Sequence, residues 1–192
     1  MTFVQSFCVL DAGHRFLYVG GDWDAFAQDN GAEAATGEAI AGSTLFDHIE
    51  GFETRAFLNA ALFAVRDCGK PFVLDYRCDS PRVRRFMRMT VSPLRGDRLL
   101  MLHDFLHEER VGKTLLPWIV AQDGVAPKCS VCCAVQYGEV WLDPFLARNP
   151  HPARVQAGLC PSCRALTAGR IAEMERRTEL QKDNVIRLPR RA

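Results

Sequence analysis

Residues 72–79 alternate strictly, with Phe72, Leu74, Tyr76 and Cys78 on one side of a period-two pattern and Val73, Asp75, Arg77 and Asp79 on the other, as a half-buried strand requires. Residues 83–91 repeat the pattern. Val83, Met87, Met89 and Val91 share a side that Arg85 interrupts, and Asp79-Ser80-Pro81 supplies the turn of a hairpin. A third apolar run, residues 99–102, follows the Arg95-Gly96-Asp97 turn and ends near His103. Upstream the period changes: Phe57, Leu58, Ala61, Leu62 and Val65 recur at helical spacing, and Gly69-Lys70-Pro71 stops that helix. Residues 7–10 and 16–19 read as two short strands around the Asp11-Ala12-Gly13 turn. Trp23, Phe26 and Ala27 then form the apolar side of a short helix.

Two strands, several short helices and three further strands predict an α+β fold with one antiparallel sheet. The order Asp11, Arg15, Phe16, Val19, Trp23, Phe26, Ala27, then Gly42-Ser43-Thr44-Leu45, then the Gly69-Lys70-Pro71-Phe72 entry into paired strands, resembles a PAS sensor domain over residues 3–106. The resemblance implies a PAS-like antiparallel sheet with short flanking helices. Where many PAS domains carry Asn after the second strand, this chain has Gly20, so a ligand contact through that Asn does not carry over.

The strongest chemical signal lies downstream. Cys129-Ser130-Val131-Cys132 and Cys160-Pro161-Ser162-Cys163 are two C-x-x-C pairs separated by 27 residues. Each pair can fold as a tight knuckle with thiolates about 3.5 to 4 Å apart, and two knuckles complete a tetrahedral metal site with bonds of about 2.3 Å. Disulfides compete with this reading, but a cytoplasmic chain keeps its thiols reduced, and the other four of the eight cysteines show no matching pairs. A thioredoxin-type site needs only one such motif. Four thiolates with no open position suit zinc, although rubredoxin-type iron uses the same ligands. Cys133 and His151 are read as bystanders.

The same segment resembles a zinc-ribbon-like element found beside PAS and response-regulator domains in bacterial signalling proteins. Cys129, Cys132, Gly138, Trp141, Asp143, Phe145, Gly158, Leu159, Cys160, Pro161 and Cys163 match it in order over residues 128–165, and the resemblance implies an acidic and aromatic helix after the Trp. Ala134-Val135-Gln136-Tyr137 replaces the basic residues that usually follow the first pair, and Val155-Gln156-Ala157 replaces an aromatic-Ser-His. Residues 164–182 then favour helix, with Ala168, Ile171, Met174 and Leu180 as a narrow stripe. That helix is expected to pack on the ribbon, with a dimerising or partner-binding role as the alternative.

These elements divide the chain into a PAS-like domain (1–107), a connector (108–127), a metal-ribbon module with its C-terminal helix (128–183) and a basic tail (184–192). The connector's apolar residues Leu115, Leu116, Trp118, Ile119 and Val120 are expected to dock on the sheet or the metal module, or to form a partner-binding patch. Composition adds little except an asymmetry: 192 residues at 48% hydrophobic suffice for one core and a small module. Residues 1–108 carry 11 basic and 15 acidic side chains, net −4, whereas 109–192 carry 13 and 8, net +5. Arg187, Arg190 and Arg191 end the chain as a tail suited to phosphate, acidic protein or lipid headgroups, or simply a solvated end. Arg82, Arg84, Arg85 and Arg88 form a cluster read as a solvated, protected sheet edge, because strand alternation splits it between two faces. With no basic residue before an apolar N-terminal run and no membrane-length segment, the chain is expected to be cytoplasmic.

A pocket between helices and sheet would be lined by Trp23, Phe26, Phe46, Phe63, Tyr76, Cys78, Met87 and Met101, unless these merely fill the core. Haem and flavin are not expected. His14, His48, His103 and His107 all lie outside the helix where haem-binding PAS domains carry their ligand, and Cys8, Cys68 and Cys78 lack the flavin-adduct neighbours and read as small buried hydrophobes. With no phosphate-cradling Gly loop and no paired nucleophile and base, the expected function is non-catalytic signalling through a protein partner, with a homodimer and a small apolar ligand as further partners. A nucleic-acid-binding regulator and a thiol redox sensor are the alternatives.

Overall fold

The computed structural model describes residues 4–115, 117–148 and 152–183. Leu116, His151 and the tail residues Arg187, Arg190 and Arg191 lie outside the described residues. Strands β1 (Gln5–Leu10) and β2 (Phe16–Gly21) are followed by helix α1 (Trp23–Asp29), the short helix α2 (Gly37–Ile40) and the long helix α3 (Phe52–Cys68). Strands β3 (Phe72–Arg77), β4 (Val83–Pro93) and β5 (Leu99–Arg110) complete a five-stranded antiparallel sheet in the order β2-β1-β5-β4-β3. Then come β6 (Ile119–Val120), β7 (Ala126–Cys129), β8 (Val135–Tyr137), β9 (Val140–Leu142), β10 (Arg154–Gly158) and helix α4 (Pro161–Asp183). The second sheet has the order β6-β10-β7-β8-β9 and is mixed, because β10 runs parallel to β6 and β7. The fold is therefore α+β with two sheets. Among the described residues no helix is long and apolar enough to cross a membrane.

Helix α3 ends as its sequence dictates: Gly69 adopts a left-handed φ of 63° and its N–H bonds to the Val65 carbonyl, with Pro71 two residues on. Its buried face, Leu58, Ala61, Leu62 and Val65, lies on Cys8, Leu10, Phe72, Leu74, Met89, Val91, Leu99 and Met101 of the first sheet. The same continuous core contains Cys129, Val131, Leu159, Cys160, Cys163 and Met174, so the cysteine-bearing segment shares the apolar interior of the first sheet.

Three expectations are corrected. Helix α4 packs mainly against α3 and the edge strand β3, where Arg170 Nη1 donates to the Val73 carbonyl, and not on the second sheet. Its buried stripe is Cys163, Thr167, Met174 and Thr178 with Ile171 half-buried, while Ala168 and Leu180 are exposed. Thr167 is satisfied by donating to the Cys163 carbonyl at 2.9 Å. The arginine cluster is not a sheet edge, because β4 lies between β3 and β5. Arg88 pairs with Asp75 at 2.7 Å, Arg84 with Asp143 at 3.3 Å and Glu109 at 3.4 Å, and Arg85 donates to the Cys78 carbonyl and stacks over Phe26. The stretch after Trp141 is a hydrogen-bonded turn closed by Leu146 and Ala147 N–H on the Asp143 carbonyl, and not a helix.

The connector is built into the fold. Leu115 is buried and donates to the Pro81 carbonyl, Lys113 Nζ donates to the Pro144 and Ala147 carbonyls, and Ile119–Val120 adds a strand to the second sheet. Lys128 lies over the Trp118 ring at 4.7 Å.

Candidate metal centre

Two backbone relationships bring the C-x-x-C pairs together. Parallel pairing of β10 with β7 aligns Gly158 with Cys129, and Ser130 N–H donates to the Gly158 carbonyl at 2.9 Å, so the chain leaves β10 beside the first knuckle. That knuckle closes through Cys133 N–H on the Cys129 carbonyl and Cys129 N–H on the Ala134 carbonyl, which puts Cys133 in the left-handed region at φ 61°. The second pair straddles the start of α4, where Cys163 N–H points at Cys160 Sγ at 3.4 Å.

The four Sγ atoms of Cys129, Cys132, Cys160 and Cys163 all lie within 4.8 Å of one another. Cys132 and Cys160 are 3.8 Å apart, the edge of about 3.8 Å that a tetrahedron with 2.3 Å metal–sulfur bonds requires. All eight cysteines are free, and 3.8 Å is far beyond a disulfide bond. Cys129, Cys160 and Cys163 are buried and Cys132 is half-buried, so this is a closed thiolate set able to hold a metal ion such as zinc.

The electrostatics suit a bound cation. The Cys132 thiol and, against the cost of burial, the backbone N–H groups of Cys160, Cys132 and Val131 pull the Cys129 thiol down to about 4. Its thiolate then works against the others. Cys132 is driven upward by the hydrogen bond it gives Cys129 and by burial, and Cys163 rises to about 12 through burial and the Cys129 charge. One thiolate is favoured at Cys129 while those of Cys132 and Cys163 are opposed, a balance that a multivalent cation replacing their protons would reverse.

The site is supported from the first sheet. Arg77 N–H, at the end of β3, donates to the Val131 carbonyl at 2.7 Å, and Cys133 Sγ donates to the Arg77 carbonyl at 3.3 Å. Cys133 thus faces away from the other four thiols. Thr54 and Ser130 share a hydroxyl hydrogen bond of 2.8 Å. Gly51, at φ 84°, lies so close to β10 that a Cβ there would meet the Ala157 oxygen at 2.1 Å. No local pattern announces these supports, because each lies more than 50 residues from what it supports.

The expected pocket residues separate into two groups. Trp23, Phe26, Tyr76, Cys78 and Met87 line an open cavity of about 280 Å3 together with Ser6, Ala35 and His103. Phe46 packs edge-on against His14 at 5.3 Å, Met101 is buried in the core, and Phe63 is 68% exposed because α3 turns it away from the sheet. His103 was visible in the alternation Leu99, Met101, His103, which continues the inward face of β5 beyond the predicted end of the strand. It accepts or shares a 2.9 Å hydrogen bond between its Nδ1 and the Tyr76 hydroxyl, and burial holds its pKa down at about 4. His14 bonds Arg66, His48 bonds Ser43, and His107 stacks on Phe86. Cys8 is fully buried, whereas Cys68 and Cys78 are half-buried. A second cavity of about 370 Å3, on the α3 side, also has Tyr76 and His103 in its wall and reaches Ser130 and Val131, the two residues between Cys129 and Cys132.

Compared with known proteins, the chain matches no protein-family model, and no curated protein matches it significantly.

Proposed function

We propose that the chain is a non-catalytic cytoplasmic signalling protein in which a PAS-like domain takes up a small apolar ligand and a structural zinc module relays occupancy to a protein partner. The sensor spans residues 1–107, and 128–183 form the zinc module. A five-stranded antiparallel sheet with helices α1, α2 and α3 inserted between β2 and β3 supports the PAS-like part. Zinc is preferred to iron because a closed set of four thiolates suits a redox-inert structural ion.

The observation that carries the reading is the Tyr76–His103 pair. It stands in the wall of both cavities, one lined by Trp23, Phe26 and Met87, the other reaching the metal knuckle at Ser130 and Val131. Mostly apolar walls with a few polar groups, here including the half-buried Tyr76–His103 pair, are the make-up of a small-ligand site. The nucleic-acid alternative rests on the ribbon and the basic tail, and Arg84, Arg85 and Arg88 add nothing to it, since carboxylates or a carbonyl occupy them.

Elemental analysis of the purified chain is expected to give one equivalent of zinc and no visible absorption, and an iron–thiolate or pigment band would overturn that assignment. For the sensor, the cobalt-substituted protein is titrated with 1-anilinonaphthalene-8-sulfonate, an anionic dye whose aromatic rings enter apolar cavities. Binding should shift the cobalt–thiolate bands, and Ala35→Trp, which fills the cavity, should abolish both binding and shift. Bands that stay fixed while the dye binds, or binding that survives the substitution, would sink the relay.

A further inference from the structure

The open cavity of about 280 Å3 is a slot between helix and sheet. Trp23 and Phe26, three apart on α1, stand on its helix side with the small side chains of Ala27 and Ala35, and Tyr76 and Met87, paired across β3 and β4, stand on its sheet side. Two aromatic rings opposite a phenol and a thioether suit a flat aromatic body. No charged side chain lines the slot, so an ion inside it would lose its hydration without a counter-charge. Two polar groups of its wall are unused. Ser6 and His103 lie opposite one another in the pairing of β1 with β5, which puts their side chains side by side on one face of the sheet. Ser6 is only 7% exposed, and among the described residues neither its Oγ nor His103 Nε2 has a hydrogen-bond partner, although both residues line the slot and neither atom is sealed within the protein.

Burial keeps the Tyr76 phenol protonated and the His103 imidazole neutral. The Tyr76 O–H has no other acceptor among the described residues, so it donates to His103 Nδ1, and the ring proton therefore sits on Nε2. Both unused groups are then donors. Taking the slot as the sensor's ligand site, a reading on which this step rests, we infer that its ligand is an uncharged aromatic carbonyl compound of one or two rings whose carbonyl oxygen accepts from Ser6 Oγ–H and His103 Nε2–H. A hydrocarbon would leave both donors unpaired, which costs binding free energy. A phenol could accept from Nε2–H and donate to Ser6 Oγ, but the Ser6 proton would then have no acceptor. A carbonyl oxygen has two lone pairs and satisfies both.

The metal-loaded full chain is titrated with 2-acetylnaphthalene and with 2-ethylnaphthalene, which has the same shape without the oxygen, by quenching of tryptophan fluorescence. The ketone should bind, and Ser6→Ala should weaken it about 5-fold, as loss of one neutral hydrogen bond does, while the hydrocarbon binds Ser6→Ala as well as wild type or better. Unchanged hydrocarbon binding also shows that the variant folds. With an isotope-labelled carbonyl, the infrared stretch of the bound ketone should lie below its position in hexane, and Ser6→Ala should move it part of the way back. Nitrogen NMR of histidine-labelled protein should find His103 as the Nε2–H tautomer. A stretch at the hexane position, an equal effect of Ser6→Ala on both compounds, or the Nδ1–H tautomer would overturn the carbonyl assignment and leave the slot a ligand site. Failure of both compounds to bind would overturn the sensor reading together with it.

Discussion

Glu53, in the first turn of α3, accepts a hydrogen bond of 2.8 Å from the backbone N–H of Leu159, the residue before Cys160, and its other oxygen pairs with Arg164 just after Cys163. One carboxylate from the helix that precedes the central hairpin therefore brackets the second C-x-x-C pair. The metal centre is held from outside its own segment.

Glu53→Ala removes both contacts and leaves the Leu159 N–H without its acceptor. The pair is partly exposed, so the loss is set at about 1 to 2 kcal/mol, below the full value of a buried charged hydrogen bond. Urea unfolding should show this loss, with faster release of metal to a chelator. Glu53→Gln, which keeps an acceptor, should lie between the variant and wild type. Equal behaviour of all three proteins would show that Glu53 does not position the site.

Because one core runs through both sheets, removal of the metal should loosen the first sheet as well as the second. Structural zinc contributes on the order of 10 kcal/mol to small metal domains, comparable with the whole stability of a chain this size. Trp23 reports on the first sheet and Trp141 on the second, and chelation or Cys160→Ser should change both signals in one transition. Retention of the Trp23 signal after complete metal loss would show that the first sheet stands alone.

What was legible in the sequence is what local periodicity or coordination chemistry enforces. The hairpin of β3 and β4 has one wet and one dry side, α3 has a continuous apolar stripe with a Gly stop, and four thiolates need two tight knuckles. What failed depends on partners far along the chain. Phe63 has the size of a pocket residue, but the phase of the helix, anchored by Leu58, Leu62 and Val65, sends it outward. Arg84 and Arg88 sit on an interior strand only because β5 pairs beyond β4, and Ile119–Val120 becomes a strand only because β10 arrives some 35 residues later.

At the junction of the two sheets, Arg77 joins Asp143 at 2.7 Å and also pairs with Asp79, whose side chain is fully buried. Burial alone would lower the Arg77 pKa, and the two carboxylates more than offset this. Burial would raise Asp143, and the Arg77 and Phe145 N–H bonds outweigh it and lower it. Asp143→Ala should cost on the order of 3 kcal/mol, because it strips a mostly buried guanidinium of one partner. A double-mutant cycle with Arg77→Met measures the coupling. Additive effects would mean that the pair does not join the sheets.

His103 gives the clearest pH signature. Its folded pKa of about 4 lies below the ordinary 6.5, since burial disfavours the imidazolium and Asp104 only partly opposes this. Below 6.5 the unfolded chain binds a proton at His103 that the folded chain refuses, so stability falls as pH drops from 6.5 towards 4 and levels off below. The full difference is on the order of 3 kcal/mol. Acid also releases metal from thiolates, which destabilises every form of the protein alike. The comparison is therefore with His103→Gln, which keeps a polar partner for Tyr76 but cannot titrate. Urea midpoints between pH 6.5 and 4.5 should fall more steeply for wild type than for the variant, by about one proton taken up on unfolding. Parallel curves would mean that the imidazole is hydrated in solution, and that the Tyr76–His103 pair does not seal one cavity from the other.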